Sequence, residues 1–107
     1  MSKYLISASY TAEGTKGVIK GGGGTARRAA VQQMAQAVEG KVDAFYYAFG
    51  EDDVYVIIDV PDNVSMAALS MAVNSSGAVR LKTTALLTPE EIDQAAKKGV
   101  NYRAPGQ

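Results

Sequence analysis

Apolar and polar residues alternate with a period of two near the start of the chain. Tyr4, Ile6, Ala8 and Tyr10 fall on one face and Leu5, Ser7 and Ser9 on the other, which predicts a strand over 3–11. A glycine-rich stretch follows, with six glycines between positions 13 and 24, ending in Gly21-Gly22-Gly23-Gly24. It reads as a flexible surface connection that can act as a lid. The period then becomes helical: Ala30, Val31, Met34, Ala35 and Val38 recur at spacings of three and four, with Arg27, Arg28, Gln32 and Gln36 largely opposite. Thr25 is the expected N-cap of this helix and Gly40 its left-handed C-terminal cap.

Residues 45–60 are the most informative segment. Aromatic and β-branched residues flank Gly50-Glu51-Asp52-Asp53, whose composition is that of a turn, so two strands of a β-hairpin are predicted. Regular alternation, continued back to Lys41, sets Val42, Ala44, Tyr46 and Ala48 against Asp43, Phe45, Tyr47 and Phe49. Pro61-Asp62-Asn63 breaks the second strand. A helix from near Ser65 to Asn74 carries Met66, Leu69, Met71, Ala72 and Val73, and Gly77 stops it. A last strand over 78–87 turns Val79, Leu81, Thr83 and Ala85 away from Arg80, Lys82, Thr84 and Leu86. Thr88-Pro89-Glu90-Glu91 then has a cap residue, proline at the first helical position and glutamate three after the cap, the start of a short helix over about 88–99. Residues 100–107 read as an exposed tail.

The order strand, helix, strand, strand, helix, strand, with right-handed crossovers, places two helices on one face of a four-stranded antiparallel sheet. This is a ferredoxin-like α+β domain with an added C-terminal helix, a single domain with its core over about 3–87. The helices cover one face. Leu5, Phe45, Tyr47, Phe49, Tyr55, Ile57 and Leu86 are expected on the other, and burying each large side chain is worth about 1.5–3 kcal/mol. A contiguous apolar sheet face marks an interface or a ligand cavity, and face-to-face pairing with a second copy into a homodimer would cover it.

Composition narrows the chemistry. Eleven basic and eleven acidic residues, scattered along the chain, give no net charge, and no long-range field attracts nucleic acid or an anionic membrane. The chain has no cysteine and no histidine. Disulfides, thiolate chemistry, zinc-thiolate sites, histidine-ligated haem and imidazole bases are thereby excluded, and neither metal nor cofactor is expected. With no signal-like or membrane-spanning run, the expectation is a cytoplasmic protein.

Residues 45–60, Pro61-Asp62-Asn63, Ser75-Ser76-Gly77-Ala78-Val79-Arg80 and Thr83-Thr84 resemble the GYD domain family, small proteins related to the dimeric α+β barrels. The resemblance spans roughly residues 3–87. Gly50 and Asp53 match the family's naming element, whereas Asp52 stands where an aromatic is usual. The resemblance implies the fold and a homodimer. It supplies no reaction, because relatives with this fold include cofactor-independent monooxygenases, haem-degrading enzymes and lactone isomerases.

Candidate site residues follow from residue type. Tyr10, Tyr47 and Tyr55, with Phe45 beside them, are suited either to lining a small-ligand pocket inside the barrel, where phenols orient a carbonyl or donate a proton, or to plain packing. Asp53 is a carboxylate that acts as a base if held in the barrel mouth and otherwise shapes the turn. Arg27 and Lys82 are cations for an acidic ligand, Lys82 alternatively protecting an edge strand. Gly22, Gly23, Gly24 and Thr25 at a helix start could cradle an anion, although neither phosphate-loop nor dinucleotide spacing is present. An oligomerisation module without catalytic activity fits the same sequence.

Overall fold

In the computed structural model, which covers residues 1–107, the alternating segments form β1 (Ser2–Tyr10), β2 (Lys41–Tyr47), β3 (Val54–Val60) and β4 (Val79–Leu86). They make one antiparallel sheet in the order β2-β3-β1-β4. The helices are α1 (Ala12–Lys20), α2 (Gly23–Ala37), α3 (Asn63–Asn74) and α4 (Pro89–Ala96). The predicted strands and the helix-strand order are present. Tyr4, Ile6 and Ala8 of β1 and Val54, Val56 and Ile58 of β3 alternate into the core, where they meet Ala35 of α2 and Met66, Leu69 and Val73 of α3. Tyr4 is buried with its polar end satisfied, since its hydroxyl donates to the Asn63 side chain at the start of α3. No helix is long and apolar enough to cross a membrane.

The glycine-rich stretch is not a flexible connection. Ala12–Lys20 is helical, with Thr11 as the N-cap accepting from the Gly14 N–H at 3.1 Å. Gly14 is buried against the start of β4, where a Cβ would lie 2.0 Å from the Ala78 carbonyl oxygen. Close approach of backbones, not mobility, accounts for this glycine. The next helix begins earlier than expected: Gly22, at φ 100°, is its N-cap, and Thr25 lies inside the first turn. Its end also differs. Glu39 takes the left-handed conformation at φ 61°, while Gly40 is required because a Cβ there would sit 2.6 Å from the Asp59 carbonyl oxygen of β3.

A second correction concerns the faces of β2. Pairing shifts between Val42 and Ala44, so Asp43 is the extra residue of a β-bulge. Beyond it Phe45 lies opposite Val56 and Tyr47 opposite Val54, on the helix-covered face, while Tyr46 lies opposite Tyr55 on the uncovered one. Phe45 and Tyr47 were expected on the uncovered face. Val42 and Phe45 are three residues apart, and on a strand they can share the core face only across a parity break; burial of both outweighs regular pairing. The displaced Asp43 carboxylate pairs with Lys3 on the polar side. Phe49 belongs to neither face, being fully exposed in the turn.

The C-terminal segment leaves the domain. α4 has the predicted capping box between Thr88 and Glu91, with Pro89 in its first turn, and ends at Ala96 rather than near Gly99. None of its residues is buried. The molecule accordingly extends over 58 × 33 × 22 Å with a radius of gyration of 17.0 Å, against about 13 Å for a compact chain of this length.

Candidate functional site

The structure divides the sequence-predicted site residues between two places on opposite sides of the sheet. Tyr10, Tyr47, Phe45 and Arg27 lie on the helix-covered side. Tyr55 and Lys82 lie on the uncovered side, beside Asp52. The two groups cannot line one pocket of the protomer.

On the helix-covered side a cleft of about 490 Å³ opens between α1, α2 and the end of α3, within the size range of small-ligand sites. Its volume comes from residues that lack side chains. Gly14, Gly17 and Gly21 recur at spacings of three and four and turn one face of α1 and its end toward the cleft, opposite Ala26 and Ala30 of α2. Gly17 is free of packing constraint, because a Cβ there would meet nothing within 4 Å. Tyr10 at the end of β1 and Arg27 in α2 stand where the cleft narrows into an apolar crevice of about 50 Å³ that Phe45, Val56 and Leu69 help to line.

Neighbouring backbone fixes Tyr10. The Asp53 carboxylate accepts the Tyr10 N–H at 2.9 Å, and the Asp53 N–H donates to the Ala8 carbonyl at 2.8 Å. The turn is thereby fastened to the end of β1, and Asp53 serves this turn-shaping role. Tyr47 leans over the start of α2, where its hydroxyl donates to the Gly24 carbonyl at 3.2 Å. A Cβ on Gly24 would meet the Tyr47 ring at 2.8 Å. Phe45 and Tyr47 pack edge to face with centroids 5.4 Å apart. Gly22, Gly23 and Gly24 thus begin α2, with Gly24 under a phenol ring, while Thr25 is exposed.

Electrostatics separate the roles of the polar groups in the cleft. Partial burial, reinforced by the neighbouring Tyr47 phenol and opposed by Arg27, pushes the Tyr10 pKa up to about 12. Tyr10 is therefore a neutral hydrogen-bond donor at pH 7 and not a base. Arg27 is half-buried and has no carboxylate partner. Glu13 is the one acidic residue on the cleft wall. The arrangement offers a cation and a phenolic donor around small apolar walls, suited to an anionic group on a small apolar body.

The uncovered face carries a different chemistry. Buried Asp52 accepts from the Ser9 hydroxyl at 3.2 Å and the Tyr55 hydroxyl at 3.4 Å, and Lys82 lies 3.4 Å away. At the other end Lys3 bridges Asp43 and buried Asp59, with Lys41 4.0 Å from Asp59. The Lys3 ammonium, then the Asp59 side chain, hold Asp43 below the usual carboxylate range, and the same contacts with Asp43 and Asp59 raise Lys3. Leu5, Ile57 and Ala44 lie side by side across the middle. These carboxylates are occupied by lysines and hydroxyls, and no three ligating side chains gather in a way that holds a metal ion.

Sequence reasoning missed Gly17 and Asp52 as site-forming residues. The helical spacing of Gly14, Gly17 and Gly21 was a usable signal for α1, whereas the Asp52 cluster depends on contacts more than 40 residues apart with Ser9.

A four-stranded antiparallel sheet in this order, with helices crossing one face, is the architecture of a ferredoxin-like α+β protein. The chain belongs to the GYD domain family, whose sequence model matches residues 4–96. No curated protein and no solved structure matches it.

Proposed function

We propose that the protein binds a small organic anion in the cleft between α1 and α2, with Arg27 meeting the anionic group and Tyr10 donating a hydrogen bond to it. The observation that carries this reading is a half-buried guanidinium without a carboxylate partner at the neck of a cleft that glycines keep open. A cation partly withdrawn from water is stabilised by an opposite charge. The walls admit a compact apolar body, and the neutral phenol is ready to donate to a carboxylate or carbonyl oxygen. On this reading the ligand lies beside Tyr10 and Arg27 on the helix side of the sheet, outside the barrel interior expected from the sequence.

Thermal melting with a panel of small monocarboxylates and their methyl esters tests the proposal. Binding to the native state raises the melting temperature by mass action. Carboxylates, and not their esters, should stabilise the protein, and Arg27→Gln should abolish the shift. Gly17→Leu should abolish it too, by filling the cleft from a position where the added Cβ meets nothing. Stabilisation that survives Gly17→Leu would place binding elsewhere, and no shift with any panel member would remove the anion reading.

A second reading has its own support. Tyr46 is 72% exposed and Tyr55 40% exposed on the uncovered face, beside Leu5 and Ile57. We propose that this face pairs with that of a second copy. The apolar middle row would be buried, and the lysine–aspartate clusters would lie toward the ends.

A further inference from the structure

Beyond the neck of the cleft lies a space that the polar groups of the site do not explain. α2 packs over β2, and α3 over β4 and β3, which leaves a seam between the two helices above the middle of the sheet. The apolar crevice of about 50 Å³ occupies this seam, with Ile6 and Val56 in its floor and Val31 and Leu69 in its walls. Of the residues that line it, Arg27 alone is charged and Tyr10 alone carries a hydroxyl. Both also line the outer cleft, so the polar groups stand at the boundary between the two spaces.

Water has little reason to fill the crevice. A buried water is held by about three hydrogen bonds to polar groups that would otherwise lack them. No buried side-chain nitrogen or oxygen of the protein is without a partner. The floor strands β1 and β3 are the inner strands of the sheet, paired on both sides, so their backbone groups are engaged in the ladder. An apolar space of this kind stays dry, and its lining forgoes dispersion contacts that an apolar group would restore.

Size limits that group. A water-sized or methyl-sized group takes about 30 Å³, so about two carbons fill the crevice. A carboxylate held at the neck by Arg27 and Tyr10 turns one side to the open cleft, where water can hydrate it, and can carry a short chain inward from the other.

We infer that the site selects a short-chain monocarboxylate, its alkyl end seated in the crevice between α2 and α3 and its carboxylate at the neck. This selection by chain length rests on the anion-binding reading proposed above, and adds the kind of molecule the site takes.

Thermal melting of the full chain with formate, acetate, propionate, butyrate, hexanoate and octanoate, each at several concentrations, gives a dissociation constant for each acid by mass action. Every carbon that enters the crevice should tighten binding about fourfold. The gain should run from acetate to butyrate and stop there. Val31→Phe, which fills the seam, should remove the advantage of butyrate over acetate. Phe45→Ala, which widens the crevice that Phe45 lines, should carry the gain on to hexanoate. Each variant is compared with its own ligand-free melting, so a loss of stability does not obscure the readout. Failure of every acid to shift the melting overturns the anion reading and the chain selection together. Acids that bind equally whatever their length, or ever more tightly through octanoate, overturn the chain selection alone. So does a length profile that neither Val31→Phe nor Phe45→Ala moves.

Discussion

The two faces of the sheet are built from the same strands and behave as different materials. On the helix-covered face Ile6, Val56, Ile58 and Val79 are closed over by α2 and α3, and polar groups enter at its margin, where Tyr10 and Arg27 meet the cleft. On the uncovered face Leu5 and Ile57 form a narrow apolar band between the Lys3–Asp43–Asp59 cluster and the Asp52–Lys82 pair. The first face holds the protomer together. The second has too little cover to contribute comparably within the protomer. A single strand therefore carries two kinds of residue, one closed over by helices and the other left without cover in the protomer.

The sharpest test of this difference lies within β3. Ile58 is 1% exposed, and Ile58→Ala should cost about 3 kcal/mol of stability through lost burial and a residual cavity. Ile57→Ala, one position away and on the uncovered face, should cost well under half of that in dilute monomer while weakening self-association. Urea denaturation at low protein concentration separates the two, and equal losses would erase the distinction between the faces.

β2 offers a smaller effect that depends on the bulge at Asp43. Phe45→Ala should destabilise by about 2 kcal/mol, because Phe45 packs against the core, whereas Tyr46→Ala should stay within about 0.5 kcal/mol at its exposed site. The reverse ranking in the same denaturation series would mean that regular pairing persists through Asp43.

The smallest effect is a pH dependence. An exposed tyrosine ionises near pH 10, and Tyr10 does so near 12. Because the folded-state pKa is raised, its contribution to stability is fully present below about pH 10 and is lost as pH rises toward 12. Ultraviolet titration at the phenolate band should show a late-ionising component that Tyr10→Phe removes. A titration curve that Tyr10→Phe leaves unchanged above pH 10 would place Tyr10 in open solvent.

Where the physics is local, the sequence was legible. Period-two alternation marked β1, β3 and β4; the Gly50-Glu51-Asp52-Asp53 turn set the hairpin; Thr88 and Glu91 marked the start of α4. The glycines were misread because their usual meaning is freedom, whereas Gly14 and Gly40 are glycines because other backbone occupies the space a Cβ would need. Such a requirement has no local signature. The bulge at Asp43 was hidden for a related reason, since alternation alone cannot report an extra residue that only pairing with β3 reveals.

By itself, then, the sequence determined the order of the four strands, the two crossover helices and the C-terminal helix, and the absence of imidazole and thiol chemistry, because these follow from residue type and periodicity. Tertiary structure decided which aromatics share a face, that Arg27 and Tyr10 meet across a glycine-lined cleft, and that α4 stands clear of its own domain. Those facts depend on distances between segments far apart in the chain, and such distances are set by packing rather than by any one segment's composition.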